Sequence, residues 1–345
     1  MFFNNRYQAS YLKCYYERIM GTPSLISIEA NGEESENPRV LYKPKVVEKK
    51  WTDHDPPRFA WCISPLYGHI DYPLFIEVTE FNLLLGVEFI VAYNHSADAS
   101  LAGALRYYSS IGLMTLVQFL DFRVPAKEVQ QMAFSECLLR TMGTFRYMIN
   151  TDIDEIIVPQ SVRTLAQLVG NELRAHLSSE YRILHVAFLP AGANISAYNV
   201  IHKPECACWN YNFSSGKPFS CFALDNSTKV QNMPSIVLRH YRDQYVWESK
   251  VRSKVVVQSE DVTFLGPHLV LGFSECVRPT TYTVPPNVAL LYHFRKTEVR
   301  HWMASEARLL YVNIVNDCRV ASWLPELEDA ISNRSKSIRF SLNSF

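Results

Sequence analysis

Residues 147–159 read YMINTDIDEIIVP. Tyr147, Ile149, Ile153, Ile156, Ile157 and Val158 are β-forming residues, so the stretch reads as one strand. Three acids, Asp152, Asp154 and Glu155, interrupt it. Burying even one unpaired carboxylate is costly, so something must compensate them. Residues two apart in a strand share a face, so Asp152 and Asp154 are expected to converge there. Glu155 is expected to point the other way, where an arginine could pair with it. Two adjacent carboxylates repel unless a cation or a shared proton lies between them. Their oxygens suit a hard divalent ion, Mn²⁺ or Mg²⁺, with open positions left for phosphate oxygens. A D-x-D pair alone is a weak signal, since Asp pairs are common at strand ends and in turns. Its position along the chain gives it weight.

Upstream, FAWCISPLYG from Phe59 is a short apolar strand ending in a loop. In DYPLFIEVTEFNLLLG, Asp71 can cap, Pro73 sits early, and Phe75, Val78, Phe81, Leu84 and Leu85 fall at helical spacing. The strand VEFIVAYN follows, then a helix capped near Ser96 or Asp98 and stopped at Gly112. LMTLVQFLDF reads as a strand and AKEVQQMAFSECLLRTMGTF as a helix. Residues 59–159 therefore read β-α-β-α-β-α-β, which predicts an α/β fold with a mostly parallel sheet flanked by helices. Right-handed crossovers put the strand C-termini on one edge, where ligands bind. Downstream, SVRTLAQLVGNELRAHL is expected as a helix and YRILHVAFLP as a strand. Residues 190–300 look irregular, and the tail, with MASEARLLYVNIV and ASWLPELEDAIS, looks helical.

Residues 1–50 are charged and weakly periodic and read as a stem or linker. Residues 51–330 are expected to form one domain and 331–345 a C-terminal tail. Lys+Arg and Asp+Glu both number 34, so no basic excess points to nucleic acid. The best apolar run, FNLLLGVEFIVAY, contains Asn82 and Glu88 and is too short to span a membrane. Any membrane attachment would need an anchor not present in this chain. The eight cysteines (14, 62, 137, 206, 208, 221, 276 and 318) permit disulfides and include no CxxC pair, which argues against a zinc ribbon. Sequons at Asn94, Asn194, Asn212, Asn226 and Asn333 lean, with the cysteines, toward the secretory lumen.

Six ordered blocks make the pattern specific: FAWCISPLYG, EFNLLLGVEFIVAYNHS, ECLLRTMGTFRYMINTDIDEIIVP, WNYNFSSGKP, SKVVVQSEDVTFLGPH and LLYHFRK. In this order they resemble glycosyltransferase family 92, over about residues 59–300. Departures occur at VVVQSED, where a proline is usual, at Phe294 in place of Tyr, and at Lys217 where His often stands. The resemblance implies a GT-A-like catalytic domain, a UDP-sugar donor, Mn²⁺, and inverting β-galactosyl transfer to a glycan hydroxyl, such as an N-glycan core. It also implies a Golgi-lumen setting with a membrane anchor.

Under that resemblance Asp152 and Asp154 are the metal and diphosphate site, and His268 in GPH is the third metal ligand. Lys254 neutralises the diphosphate or is a solvated lysine at a strand start. Arg295 clamps phosphate or pairs with a buried acid, and His293 lies on the same apolar strand. Tyr67 and Asn94 end the first two strands and are expected at the donor, Tyr67 against the uracil. Inversion needs one base. Asp225, Asp243 and Glu248 are candidates, and Glu248 is preferred because Trp247 beside it could pack on a sugar face. Trp209 and Phe213 shape the acceptor side or are core aromatics. The alternative is a catalytically inactive glycan-binding or scaffold protein on the same fold. A nucleotidyltransferase is disfavoured, because SPLYGHIDYP has one Gly and no Lys or Arg.

Overall fold

The computed structural model describes residues 49–52, 54–97, 99–118, 126–190, 193, 195–203, 206, 233–294 and 313–343. It also describes two short strand pairs, Ile26–Ser27 with Leu41–Tyr42 and Asn210–Asn212 with Lys217–Phe219. The larger sheet is built on four parallel strands. Phe59–Ile63 lies between Val87–Ala97 and Tyr147–Thr151, and Met114–Gln118 pairs with the outer side of Val87–Ala97. The two central strands, Phe59–Ile63 and Tyr147–Thr151, are buried along their whole length because both faces of the sheet are covered there. Phe59, Trp61, Ile63, Tyr147 and Ile149 share one core with Phe75, Val78 and Phe81 of the helix Tyr72–Leu84. Cys62 and Met148 point the other way, onto Phe134, Cys137 and Leu138 of the helix Ala126–Thr141. A disulfide, Cys62–Cys137, fastens that helix to its strand. The helix Tyr72–Leu84 begins as expected, with the Asp71 carboxylate accepting from the Leu74 N–H at 3.2 Å and Pro73 in its first turn.

Beyond Tyr147–Thr151 the sheet turns antiparallel. Lys254–Gln258 pairs antiparallel with it and with Glu180–Ile183, and Thr281–Val284 closes the edge parallel to Glu180–Ile183. A second, six-stranded sheet runs in the order Asn199–His202, Asn313–Asn316, Tyr241–Asp243, His185–Phe188, Ala289–Phe294, Glu155–Pro159. Buried Asp317 braces it, accepting from Lys203 (2.8 Å), Arg242 (2.7 Å) and the Tyr292 hydroxyl (2.9 Å). A second disulfide joins Cys206 to Cys318. The helix Leu324–Asn343 returns to the helix Tyr72–Leu84, where Arg334 meets Glu80 at 2.7 Å. No helix among the described residues is long and apolar enough to cross a membrane.

The expectation of one strand over 147–159 is corrected. Tyr147–Thr151 belongs to the larger sheet and Glu155–Pro159 to the smaller one. Between them the Glu155 N–H closes a turn on the Asp152 carbonyl at 3.2 Å. YRILHVAFLP divides the same way at Leu184, into Glu180–Ile183 and His185–Phe188. The expected helix over 161–177 is also broken. A capping box of Thr164 and Gln167 starts one turn at Leu165–Gln167, and a wider turn follows over Leu168–Glu172. Gly170 and Asn171, both poor helix formers, lie in that wider turn. At the end of MASEARLLYVNIV, Asn313–Asn316 is a strand rather than helix, and residues 303–312 lie outside the described residues.

Candidate active site

The three acids occupy the turn that leaves the larger sheet and enters the smaller one. Two neighbours come from the edge formed by the parallel strands. The Ser64 N–H donates to the Thr151 carbonyl at 3.1 Å, which carries the Ser64 hydroxyl onto Asp152 Oδ1. Gln130, from the helix Ala126–Thr141, donates to Ser64 Oγ (2.8 Å) and to Asp152 Oδ1 (3.2 Å). The Lys254 ammonium arrives on the antiparallel strand, 3.1 Å from Asp152 Oδ2 and 3.4 Å from Glu155 Oε2. Glu155 Oε2 also accepts the Asp152 N–H at 3.1 Å. His293, from the smaller sheet, places Nε2 3.1 Å from Asp154 Oδ2 and Nδ1 3.6 Å from Glu155 Oε1. His185 Nε2 lies 2.9 Å from His293 Nδ1.

The electrostatics follow from these partners. Burial opposes ionisation of Asp152, but Lys254, the Ser64 hydroxyl and His293 outweigh it and hold the carboxyl below its usual range. For Asp154, burial is outweighed by His293, although Asp152 repels it. Glu155 goes the other way: burial and repulsion from Asp152 and Asp154 raise it despite Lys254. Burial works against the Lys254 charge, yet Asp152 and Glu155 raise its pKa. Two ionised acids thus stand together, with side chains 36% and 29% exposed, while Glu155 beneath them is only 4% exposed. Glu155 finds Lys254 and His293 rather than the expected arginine.

His268 belongs to the same neighbourhood. Its Nδ1–H donates to the Ser253 carbonyl at 3.0 Å, and Ser253 Oγ donates to the His268 carbonyl at 3.0 Å. Burial and the nearby Lys254 charge push its pKa down, so Nε2 carries a lone pair. Tyr67 is 38% exposed and lies on the His95 ring, centroids 4.6 Å apart. Asn94 is occupied locally, donating to Gln118 (3.1 Å) and accepting from the Ala97 N–H (3.1 Å). Glu248 is exposed in a turn closed by the Val251 N–H at 3.3 Å. Trp247 is buried, with the Arg252 guanidinium 4.0 Å from its ring centroid, so its face is covered by protein rather than open to a sugar. Asp243 is buried and accepts the Tyr245 N–H at 3.0 Å. Arg295, Asp225, Trp209 and Phe213 lie outside the described residues.

The structure adds residues that the sequence did not single out: Ser64, Gln130, His185 and Arg239. Arg239 donates to the Phe294 carbonyl at 2.8 Å, beside the Phe294 N–H that binds the Asp154 carbonyl at 2.8 Å. Ser64 lies inside the FAWCISPLYG block without standing out there, and the other three lie in none of the six blocks. Strand pairing and the packing of the helix Ala126–Thr141 on the sheet bring them to the acids.

The ordered motifs, the α/β sheet and the acidic turn agree with the family comparison. The chain belongs to glycosyltransferase family 92, whose model matches residues 58–317. A curated relative, the beta-1,4-galactosyltransferase galt-1 of Caenorhabditis elegans, is 33% identical over 123 residues, covering 33% of this chain and 28% of the relative. The aligned part is thus under a third of that relative's length. Among solved structures, S. aureus TarS 1–349 aligns at 9% identity over 69% of this chain and 60% of that one, with a TM-score of 0.35. A 4-diphosphocytidyl-2C-methyl-D-erythritol synthase aligns at 9% identity over 73% and 98%, with a TM-score of 0.31. At scores this low, neither likeness carries an argument about this chain.

Proposed function

We propose that this chain is a metal-dependent inverting glycosyltransferase that moves a hexose, by the relative's name galactose, from a UDP-sugar to a glycan hydroxyl. The observation that carries this reading, alongside the family, is the pair of ionised, partly open carboxylates Asp152 and Asp154 at the strand-end turn. Hard carboxylate oxygens and one imidazole nitrogen form a donor set that fits Mn²⁺ or Mg²⁺. His268 fits the nitrogen role, because a carbonyl holds its Nδ1–H and fixes the tautomer. Asp152 and Asp154 would hold the ion, which when bound supplies charge neutralisation for the departing diphosphate. The ligand atoms of His268 and these two acids do not all lie within 4.8 Å of one another, so His268 would join only by moving toward them.

The chain's own groups do the rest. Lys254, 1% exposed between Asp152 and Glu155, is a buried positive charge that holds the acids in place, neither the solvated lysine nor the diphosphate contact that the sequence suggested. Tyr67, exposed on His95, offers a ring face to the base. Glu248 is the proposed base, taking the proton of the acceptor hydroxyl as the sugar–oxygen bond forms. Glu248 is exposed, and its neighbour Trp247 donates its backbone N–H to the His185 carbonyl at 3.0 Å. The two disulfides support placing the protein in an oxidising lumen such as the Golgi.

UDP release from a panel of UDP-sugars, with a glycan mixture and with Mn²⁺ or chelator, tests the reading. Release from one donor that needs Mn²⁺ and is lost in Asp154→Asn supports it and names the sugar. No release, and no Mn²⁺-dependent UDP binding by calorimetry, would overturn it and favour a silent glycan-binding module. The lysine and histidine partners of the acids would then be purely structural.

A further inference from the structure

Beneath the D-x-D turn, Glu155, His185 and His293 bring one carboxylate oxygen and two imidazole nitrogens within 4.8 Å of one another. We propose that these three residues form a separate binding site for a first-row divalent cation of the zinc class, filled without any nucleotide. It is distinct from the Asp152, Asp154 and His268 donor set and does not depend on the glycosyltransferase reading.

The sheet register builds this site. His293 lies directly opposite Glu155 across one antiparallel pair. His185 lies opposite Leu291 on the next, parallel pair, two residues before His293. Residues two apart in a strand share a face, so three adjacent strands put all three side chains on one side of the smaller sheet. Glu155 and His185 are 3% and 1% exposed, so their positions are held by packing on all sides.

The donor chemistry suits this class of ion. Two imidazoles and a carboxylate are its usual ligands, and bound nitrogens at about 2.0–2.1 Å from zinc stand roughly 3.4 Å apart in a tetrahedral site. The two nitrogens are now 2.9 Å apart and the carboxylate oxygen is 3.6 Å from the nearer one. Admitting the ion would take about half an ångström of separation and a turn of both rings, so that their lone pairs aim at one point rather than at each other. Glu155 also divides its labour: Oε2 faces Lys254 and the Asp152 N–H, leaving Oε1 on the histidine side. Asp154 completes the arrangement from outside. It receives His293 Nε2–H at 3.1 Å, the carboxylate–histidine support that orients a metal-binding imidazole. Ion binding needs His293 neutral, with Nε2–H kept on Asp154 and the Nδ1 lone pair toward the ion, and His185 carrying its proton on Nδ1; any further proton between the rings is released to solvent.

The test uses the full chain, stripped with chelator, and titrated with Zn²⁺ by calorimetry and with Co²⁺ by visible absorption, without UDP. The expected result is about one ion per chain, with ligand-field bands of histidine-bound Co²⁺. His185→Gln and Glu155→Gln should each abolish or greatly weaken binding. Asp154→Asn, which removes the outer carboxylate, should weaken it about 10–100-fold. His268→Gln should leave it unchanged, because His268 lies in the other donor set. Circular dichroism of each stripped variant controls for folding. Absence of nucleotide-free binding would overturn the proposal. So would binding that survives His185→Gln or is lost in His268→Gln. Failure of UDP-sugar turnover would leave this result untouched.

Discussion

Replacing Lys254 by Met removes the central positive charge and keeps the shape of the side chain. The ammonium is 1% exposed and stands 3.1 Å from Asp152 and 3.4 Å from Glu155. At an effective dielectric of about 20, each attraction is roughly 5 kcal/mol. Much of that offsets the cost of desolvating the ammonium. Removing one partner of a buried pair therefore costs a net amount of about 3–5 kcal/mol. Glu155 carries most of this loss, because it is 4% exposed while the Asp152 side chain is 36% exposed and partly solvated. The assay is urea unfolding at pH 7 followed by tryptophan fluorescence. Lys254→Met should lose about 3–5 kcal/mol, and adding Glu155→Gln should restore most of it. Because the pKa of Lys254 is raised, its contribution is intact below the unfolded value of 10.5 and is lost as pH climbs through the folded one. A deficit below about 1 kcal/mol, the size of a surface pair, would refute the reasoning. So would a second substitution that deepens the loss.

Three further outcomes are expected. Burial pushes His240 down to about 4 from 6.5, so the folded protein keeps it neutral. Its contribution is whole above pH 6.5 and disappears as pH falls toward about 4, a total of about 3 kcal/mol. His240→Gln should flatten that part of the stability–pH profile, measured by urea midpoints at half-unit steps. Asp317→Asn should cost about 3–5 kcal/mol by chemical denaturation at pH 7, because Arg242 and Lys203 would lose their buried counter-charge. Replacing Cys62 and Cys137 together by alanine should cost about 2–5 kcal/mol, given the separation of 75 residues. The reductant sensitivity left in the urea midpoint should then be that of Cys206–Cys318 alone.

The parallel half of the fold was legible because its signals are local. Asp71 and Pro73 announce a helix start, and Phe59–Ile63 and Tyr147–Thr151 are apolar runs of strand length. The division of the chain between two sheets was not legible. A single turn at Asp152–Asp154, or the single residue Leu184, leaves the apolar pattern on either side unchanged. The acids themselves were conspicuous, since charge in an apolar run needs compensation. Their partners were not: Lys254 is 1% exposed yet reads as an ordinary strand lysine, and His185 opens a strand with no motif around it. The rest of the site depends on which strands lie side by side, and that is set by long-range pairing rather than by spacing.

The placement of the acids in a seam between two sheets has a consequence for how the protein is made. Asp154 emerges from the ribosome 139 residues ahead of His293, the side chain that faces it. At a synthesis rate of about 5–20 residues per second, the carboxylate waits roughly 7–28 s for its partner. Through that interval the motif is complete as text and absent as a site. A chain ended before Ala289–Phe294 would carry every letter of the D-x-D stretch, yet Glu155–Pro159 would have no neighbouring strand to join.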